Sequence, residues 1–240
     1  MKTEADHLLN AILQRRAIRA FEPIEIPATM RERILAAACS APSSFNIQPY
    51  RFYWIESPDN LKQAATLCLG QSPATTASAL VVAVADIGSW RETHRGHLEW
   101  MRRTGFSPEK IADQEMKARM GKWFYLQGWF GIFGLAKMAV LRLIHPWKIC
   151  GAIPWGRRGM FHWATKSAAL ACQNLMIAAE ALGFNTCPME GFDDLRLAKF
   201  LKLPRRRDQI LMVIAIGKKS SEHRDYPQWR RPLDATVKVL

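Results

Sequence analysis

Ala79-Leu80-Val81-Val82-Ala83-Val84-Ala85 is an unbroken apolar run, and its reading decides the fold class. A strand with one wet face alternates apolar and polar residues, so a continuous run with no charge reads as a strand buried on both faces. Working outward, Tyr50 to Glu56 is predicted as a second strand, with Tyr50, Phe52 and Trp54 on one face, and Ile210 to Ile216 as a last central strand. Helical signals surround them. Thr3 is placed to cap a helix running to about Arg16, with Leu8, Leu9, Ile12 and Leu13 as its buried stripe. A helix from about Ala28 is expected to bury Met30, Ile34, Leu35 and Ala38 before Pro42 stops it. Ser57-Pro58 and Ser107-Pro108-Glu109 open further helices with a cap and a first-turn proline, the second continuing to Gln127. Ala164 to Leu182 is apolar nearly all round and closed by Gly183, which predicts a central helix packed on several sides. Cys187 to Phe192 reads as a turn, followed by a short helix from Asp194 to Leu201. Helices and strands mix without regular βαβ alternation, and no Gly-x-Gly-x-x-Gly occurs. The pattern therefore favours an α+β sheet with helices around it over a doubly wound dinucleotide-binding domain.

At 240 residues and 49% hydrophobic, the chain is long enough for one large domain spanning 1–240. Cys39, Cys68, Cys150, Cys172 and Cys187 are odd in number and lack Cys-x-x-Cys spacing, which argues against a disulfide scaffold and a zinc site. His94 and His97 have no ligand partners at metal spacing and read as a solvated helical face. The polar start from Met1 to Asp6 is unlike a signal peptide, so a cytoplasmic protein is expected. The formal charge of +13 is unevenly placed: from Met116 to Ala179 there is no Asp or Glu, while Lys117, Arg119, Lys122, Lys137, Arg142, Lys148, Arg157, Arg158 and Lys166 fall inside, with Trp123, Trp129, Trp147, Trp155 and Trp163. This basic, tryptophan-rich excursion, at about 116–163, is too interrupted by charge for a transmembrane helix. No helix-turn-helix, finger or RNA-binding signature accompanies the charge, which disfavours nucleic acid.

Three separated clusters carry chemistry. In Arg15-Arg16-Ala17-Ile18-Arg19-Ala20-Phe21, an extended backbone would point Arg15 and Arg19 the same way, as guanidinium forks suited to a phosphate monoester. Pro42-Ser43-Ser44-Phe45-Asn46-Ile47-Gln48-Pro49 offers short hydroxyl and amide groups between two prolines. In Cys187-Pro188-Met189-Glu190-Gly191-Phe192-Asp193, the glycine lets backbone N–H groups approach a ligand without an intervening side chain. Each piece alone is an ordinary helix end or turn. Their order, with a strand ending at Ile216-Gly217, resembles the FMN-dependent nitroreductase family over roughly the first 55 and last 75 residues.

The resemblance implies an α+β nitroreductase-like fold, a central mixed or antiparallel sheet surrounded by helices, forming an interlocked homodimer with FMN at the subunit interface. By motif position, Arg15, Arg16 and Arg19 would hold the phosphate and ribityl end. Pro42, Ser43, Ser44 and Asn46 would reach the flavin of the partner subunit. Pro188, Met189, Glu190 and Gly191 would lie along the isoalloxazine, with a backbone N–H near Glu190 donating to N5, and Arg230 in Pro227-Gln228-Trp229-Arg230-Arg231-Pro232 would join the phosphate. Ala17 and Gln228 depart from the family pattern, which commonly has a serine and a lysine there, and Gln71 is a weak match for the flavin's pyrimidine edge. The implied activity is hydride transfer from NADH or NADPH to a small oxidant such as a nitroaromatic or quinone, with no catalytic acid or base named, since the cofactor does the chemistry. The rival reading is a membrane-surface binding protein that uses 123–155 as a basic insert, and a peripheral membrane contact is compatible with either.

Overall fold

A computed structural model describes residues 4–128, 132–149 and 154–240. The predicted Thr3 cap, Trp129 and Cys150 lie outside the described residues. Five strands form one sheet: β1 (Phe21–Glu22), β2 (Tyr50–Ile55), β3 (Ala79–Asp86), β4 (Asn185–Met189) and β5 (Asp208–Lys219). Each paired strand runs antiparallel to its neighbour, with β5 at the centre. Ile216 pairs with both Ala79 and Thr186, so β3 and β4 flank opposite edges of β5.

Every residue of β3 is buried, as its unbroken apolar run requires. Alternation divides it between two cores. Leu80, Val82 and Val84 pack with Val213 and Ala215 under α3 (Pro58–Leu67), α4 (Ser72–Thr76) and α9 (Asp194–Phe200). Ala79, Val81 and Ala83 pack with Ile214 and Ile216 under Ile34 and Ala38 of α2 (Ala28–Cys39) and Cys172, Leu175 and Ala179 of α8 (Gly156–Ala181). The sheet is thus the middle layer of three, which is why its central strands carry no polar face. Met30 and Leu35 are only half-buried at the edge of the second core.

Four expectations are corrected. The stripe of Leu8, Leu9, Ile12 and Leu13 on α1 (Glu4–Gln14) is exposed, and only Ala11 faces the core. The central helix begins at Gly156, eight residues before Ala164, because the preceding turn of Arg157 and Arg158 is helical despite its charge. Cys187 to Met189 is strand and not turn: Pro188 opposes Ile214 in β4 and interrupts neither the strand nor its register. His94 is buried, not solvated. It lies on α5 (Trp90–Arg103) against α6 (Pro108–Tyr125), where a Cβ on Gly121 would sit 2.9 Å from its Nε2, and that nitrogen has no hydrogen-bond partner.

Burial, and secondarily His97, push the His94 pKa below its ordinary value of 6.5. The folded state therefore prefers the neutral ring. Its contribution to stability is complete above pH 6.5 and declines as pH falls below it, because the unfolded chain takes up the proton first. Thermal melts between pH 7.5 and 5.5 are expected to show a downward slope for the native chain that is shallower for His94→Leu; parallel slopes would remove His94 as its source.

At one end of the sheet Asp86 and Asp208 face each other across β3 and β5. Like charges in that position repel. Two arginines offset this: Arg207 grips Asp86 in a fork, at 2.7 and 3.0 Å, while Arg51 of β2 pairs with Asp208 and lies 3.5 Å from Asp86. Burial pushes the Asp208 pKa up, Arg51 pulls it down, and Asp86 adds to the rise.

Among the described residues the excursion holds the end of α6, α7 (Ile132–Ile144) and the start of α8. Lys137 is buried, its ammonium donating to the carbonyls of Trp123 at 2.6 Å, Phe124 at 3.2 Å and Leu126 at 2.7 Å. The cation thus closes the C-terminal end of α6, where unpaired carbonyls concentrate negative charge.

Candidate functional site

Two of the three clusters meet within one chain. Past α1 the backbone becomes extended: Ala17 bridges Thr186 of β4, and the Ile18 N–H donates to the Thr186 carbonyl at 3.0 Å. Two-residue periodicity then places Arg15 and Arg19 on one side, and both lower the Cys187 pKa against a larger rise from burial. Arg19 is fixed at both backbone groups, its N–H donating to His223 Nδ1 at 3.3 Å and its carbonyl accepting from Ser72 Oγ at 2.8 Å. Arg16 turns away and donates to the Tyr226 carbonyl, and Gln228 Nε2 reaches the Arg15 carbonyl at 3.4 Å. The C-terminal strap is thereby laid across the arginine segment. A cavity of about 500 Å³ opens between them, lined by Arg16, Ile18, Asn185, Lys219 and Tyr226. Arg230 stays on the exposed tail, donating to the adjacent Trp229 carbonyl at 2.9 Å.

The third cluster begins where β4 ends. Glu190 and Gly191 are exposed just past Met189, and among the described residues no turn or loop carbonyl accepts from either N–H. Gln71, next to Ser72, donates through Nε2 to the Gly191 carbonyl at 2.6 Å and to the Cys68 carbonyl at 3.0 Å. A Cβ at position 191 would lie 2.9 Å from Gln71 Nε2, so this approach favours glycine. Arg19, Ser72, Gln71 and Gly191 therefore form a continuous chain of contacts joining the first cluster to the third. Met189 points elsewhere: its side chain is buried in the core with Leu197 and Val213, leaving its backbone at the site, while Pro188 is half-buried.

The second cluster is held apart. Ser43 Oγ accepts from the Gln48 N–H at 2.9 Å, and Gln48 Nε2 donates to Asn46 Oδ1 at 3.0 Å. Phe45, Asn46 and Gln48 have φ of +55°, +52° and +50°. Non-glycine residues there are strained, and a rigid turn of this kind persists only when its surroundings hold it. Ile47 supplies the anchor, buried with Trp90, Tyr125 and Trp163. Pro42, Ser44 and Asn46 are left exposed, with Ser43 half-exposed. Among the described residues no hydrogen bond joins this loop to the arginine segment or to Pro188–Gly191 within the chain.

Sequence reasoning placed Gln71 only weakly and missed Ser72 and His223 as the groups that fix Arg19. A serine opening a short helix and a histidine in a polar tail carry no local mark of that role. No group of three or more His, Cys, Asp or Glu among the described residues could hold a metal ion.

A sheet clasped by helices, with an arginine segment and a glycine turn meeting at its β4 edge, agrees with what the chain resembles. The Nitroreductase family model matches residues 12–218, and the chain belongs to that family. Protein DrgA of Synechocystis is 32% identical over 215 residues, covering 89% of this chain and 84% of that protein. The NADH dehydrogenase of Thermus thermophilus is 26% identical over 227 residues, covering 95% and 93%. A protein of Exiguobacterium sibiricum solved in complex with FMN superposes with a TM-score of 0.73 at 20% identity, covering 100% of this chain and 99% of that one, and shares the fold.

Proposed function

We propose that the chain is an FMN-dependent oxidoreductase that takes hydride from NADH or NADPH and passes it to a small, flat oxidant such as a nitroaromatic or a quinone, acting as a cytoplasmic homodimer. The observation that carries this reading is the run of contacts from Arg19 through Ser72 and Gln71 to Gly191, which brings the arginine segment and the glycine turn together along one edge of β4. The residues fit the cofactor. Arg15 and Arg19 are the forks for its phosphate end, with Arg16 beside them on the strap side and Arg230, on the exposed tail, as a further cation for it. Glu190 and Gly191 supply N–H groups that no turn or loop carbonyl among the described residues engages, suited to a ring nitrogen, and Gln71 lies at the same edge with an amide suited to a ring's polar edge. Pro188 and the Met189 backbone form the floor beneath. When bound, FMN supplies the hydride-accepting and hydride-donating centre; the protein's part is binding, orientation and electrostatics. A relative named NADH dehydrogenase and a fold neighbour solved with FMN support the donor and the cofactor.

Dimerisation is supported by what one chain leaves uncovered. Leu8, Leu9, Ile12 and Leu13 on α1 and Leu170 on α8 are exposed, as are Tyr226, Trp229, Leu233, Val237 and Val239 on the tail. So large an uncovered apolar surface belongs to an interface. The exposed Pro42, Ser44 and Asn46, on a loop anchored by Ile47 apart from its own chain's arginines, are then placed to reach the partner's site.

Purified protein is expected to be yellow, or to become so on addition of FMN, and its flavin absorbance to bleach with NADH or NADPH under nitrogen and return on adding a quinone. Protein that neither carries nor takes up FMN contradicts the reading. The rival reading, a membrane-surface binding protein using 123–155 in place of an enzyme, has no support in the family match.

A further inference from the structure

We propose that α7 docks this protein on the surface of an anionic lipid bilayer, lying in the headgroup plane with its outer face in the acyl boundary. The helix is built inside out. Gly134 and Lys137 are buried and Met138 and Leu141 half-buried, so the stripe facing the protein includes its lysine. The opposite face, at helical spacing, presents Ile132, Leu135, Ala139, Val140 and Leu143 to the exterior, and Trp147, 81% exposed, continues it past the helix end. A helix of a soluble protein turns such residues inward. Lys137 explains how the inversion is held: its three bonds to the end of α6 fix α7's inner side, leaving the apolar side no alternative but outward.

Two further features choose a bilayer as the occupant. Basic groups accompany the apolar face, with Arg142 on α7 itself and the exposed Lys122 and Arg119 on the preceding α6, and no acidic residue occurs from 116 to 179. A second copy of this chain, carrying +13 and the same acid-free stretch, offers no charge complement, whereas anionic headgroups do. The geometry is interfacial. At 13 residues α7 is shorter than the roughly 20 needed to cross a bilayer, and no helix among the described residues is long and apolar enough to do so. Exposed Trp123 and Trp155 at its two approaches suit the boundary between headgroup and chain.

The test is sedimentation of the purified full chain with vesicles of phosphatidylcholine and phosphatidylglycerol in equal parts, and with phosphatidylcholine alone. Binding to the mixed vesicles is expected, weaker on the neutral ones and weakened but not abolished by salt. The double substitution Val140→Asp with Leu143→Asp should lower partitioning at least about tenfold, since two buried aliphatic side chains are replaced by charges. Both positions are exposed, so the thermal midpoint should hold. Independently of any change in folding, brominated lipid should quench native tryptophan emission, and less so in Trp147→Phe. Equal partitioning of native and doubly substituted protein would overturn the proposal, as would loss of self-association in the double variant, which would show that a second copy covers this face.

Discussion

Replacing Arg19 with Glu is expected to release FMN while leaving the fold intact. The side chain is exposed, and its segment is fixed through backbone contacts, to His223 and Ser72, that the substitution does not remove. Stability should therefore change little. Affinity should change greatly. A charge-assisted hydrogen bond contributes about 1.5–3 kcal/mol, and the new carboxylate repels the phosphate it replaces a cation for. We expect a loss of at least about 100-fold in FMN affinity, since each 1.4 kcal/mol is a factor of ten. Flavin fluorescence titration of the apoprotein measures it. Unchanged affinity would remove Arg19 from the site while leaving the fold assignment standing.

The largest expected effect on stability comes from Arg207→Ala. Asp86 and Asp208 are nearly inaccessible and directly opposed, and without Arg207 a single arginine, Arg51, must serve both. Removing one partner of a buried ion pair costs about 3–5 kcal/mol. Arg207 itself is more than a third exposed, so water can partly take its place and the lower end of that range applies. At about 2–4 °C per kcal/mol for a chain of this size, the melting midpoint should fall by roughly 6–12 °C. Gly88→Ala should act in the same direction, because a Cβ there would lie 2.5 Å from Arg207 Nε and push the guanidinium off Asp86. Differential scanning fluorimetry decides both; a midpoint within about 1 °C of native for Arg207→Ala would show that Arg51 neutralises the pair alone.

The parts of this molecule that were legible in its sequence are those where one local pattern has one physical solution. The apolar run of β3 has to be covered on both sides, and it is. Residues 164–182 have to be packed on several sides, and α8 buries Ala164, Ala168, Ala171, Cys172, Leu175, Met176 and Ala179 while Leu170 and Gln173 stay exposed. Legibility failed where the deciding partner lies far away in sequence. Pro188 suggests a turn because proline is usually excluded from central strands, yet β4 pairs on only one side with a full strand. Leu8, Leu9, Ile12 and Leu13 repeat as a buried stripe should, yet this chain leaves them exposed, because periodicity marks an apolar face and not what covers it. His94 looks solvated until Gly121, 27 positions on, is seen to make room for it. In the site, the arginine forks and the glycine turn were readable as motifs, whereas Gln71, Ser72 and His223 acquire their roles only through contacts 53 to 204 positions distant. The Asp86, Asp208, Arg51 and Arg207 cluster was invisible for the same reason.

In the proposed dimer, Arg15 to Arg19 and Pro188 to Gly191 of one chain share each flavin with Pro42 to Asn46 of the other. Mixing subunits tests it most directly. A chain carrying Arg19→Glu and a chain carrying Ser44→Arg should each lose FMN as homodimers. In the mixed dimer one site receives both lesions and the other receives neither, so about half the native flavin content and NAD(P)H-driven bleaching should return. If the mixed dimer stays as empty as its parents, every site contains one lesion, the clusters belong to the same chain, and the shared-site account is wrong.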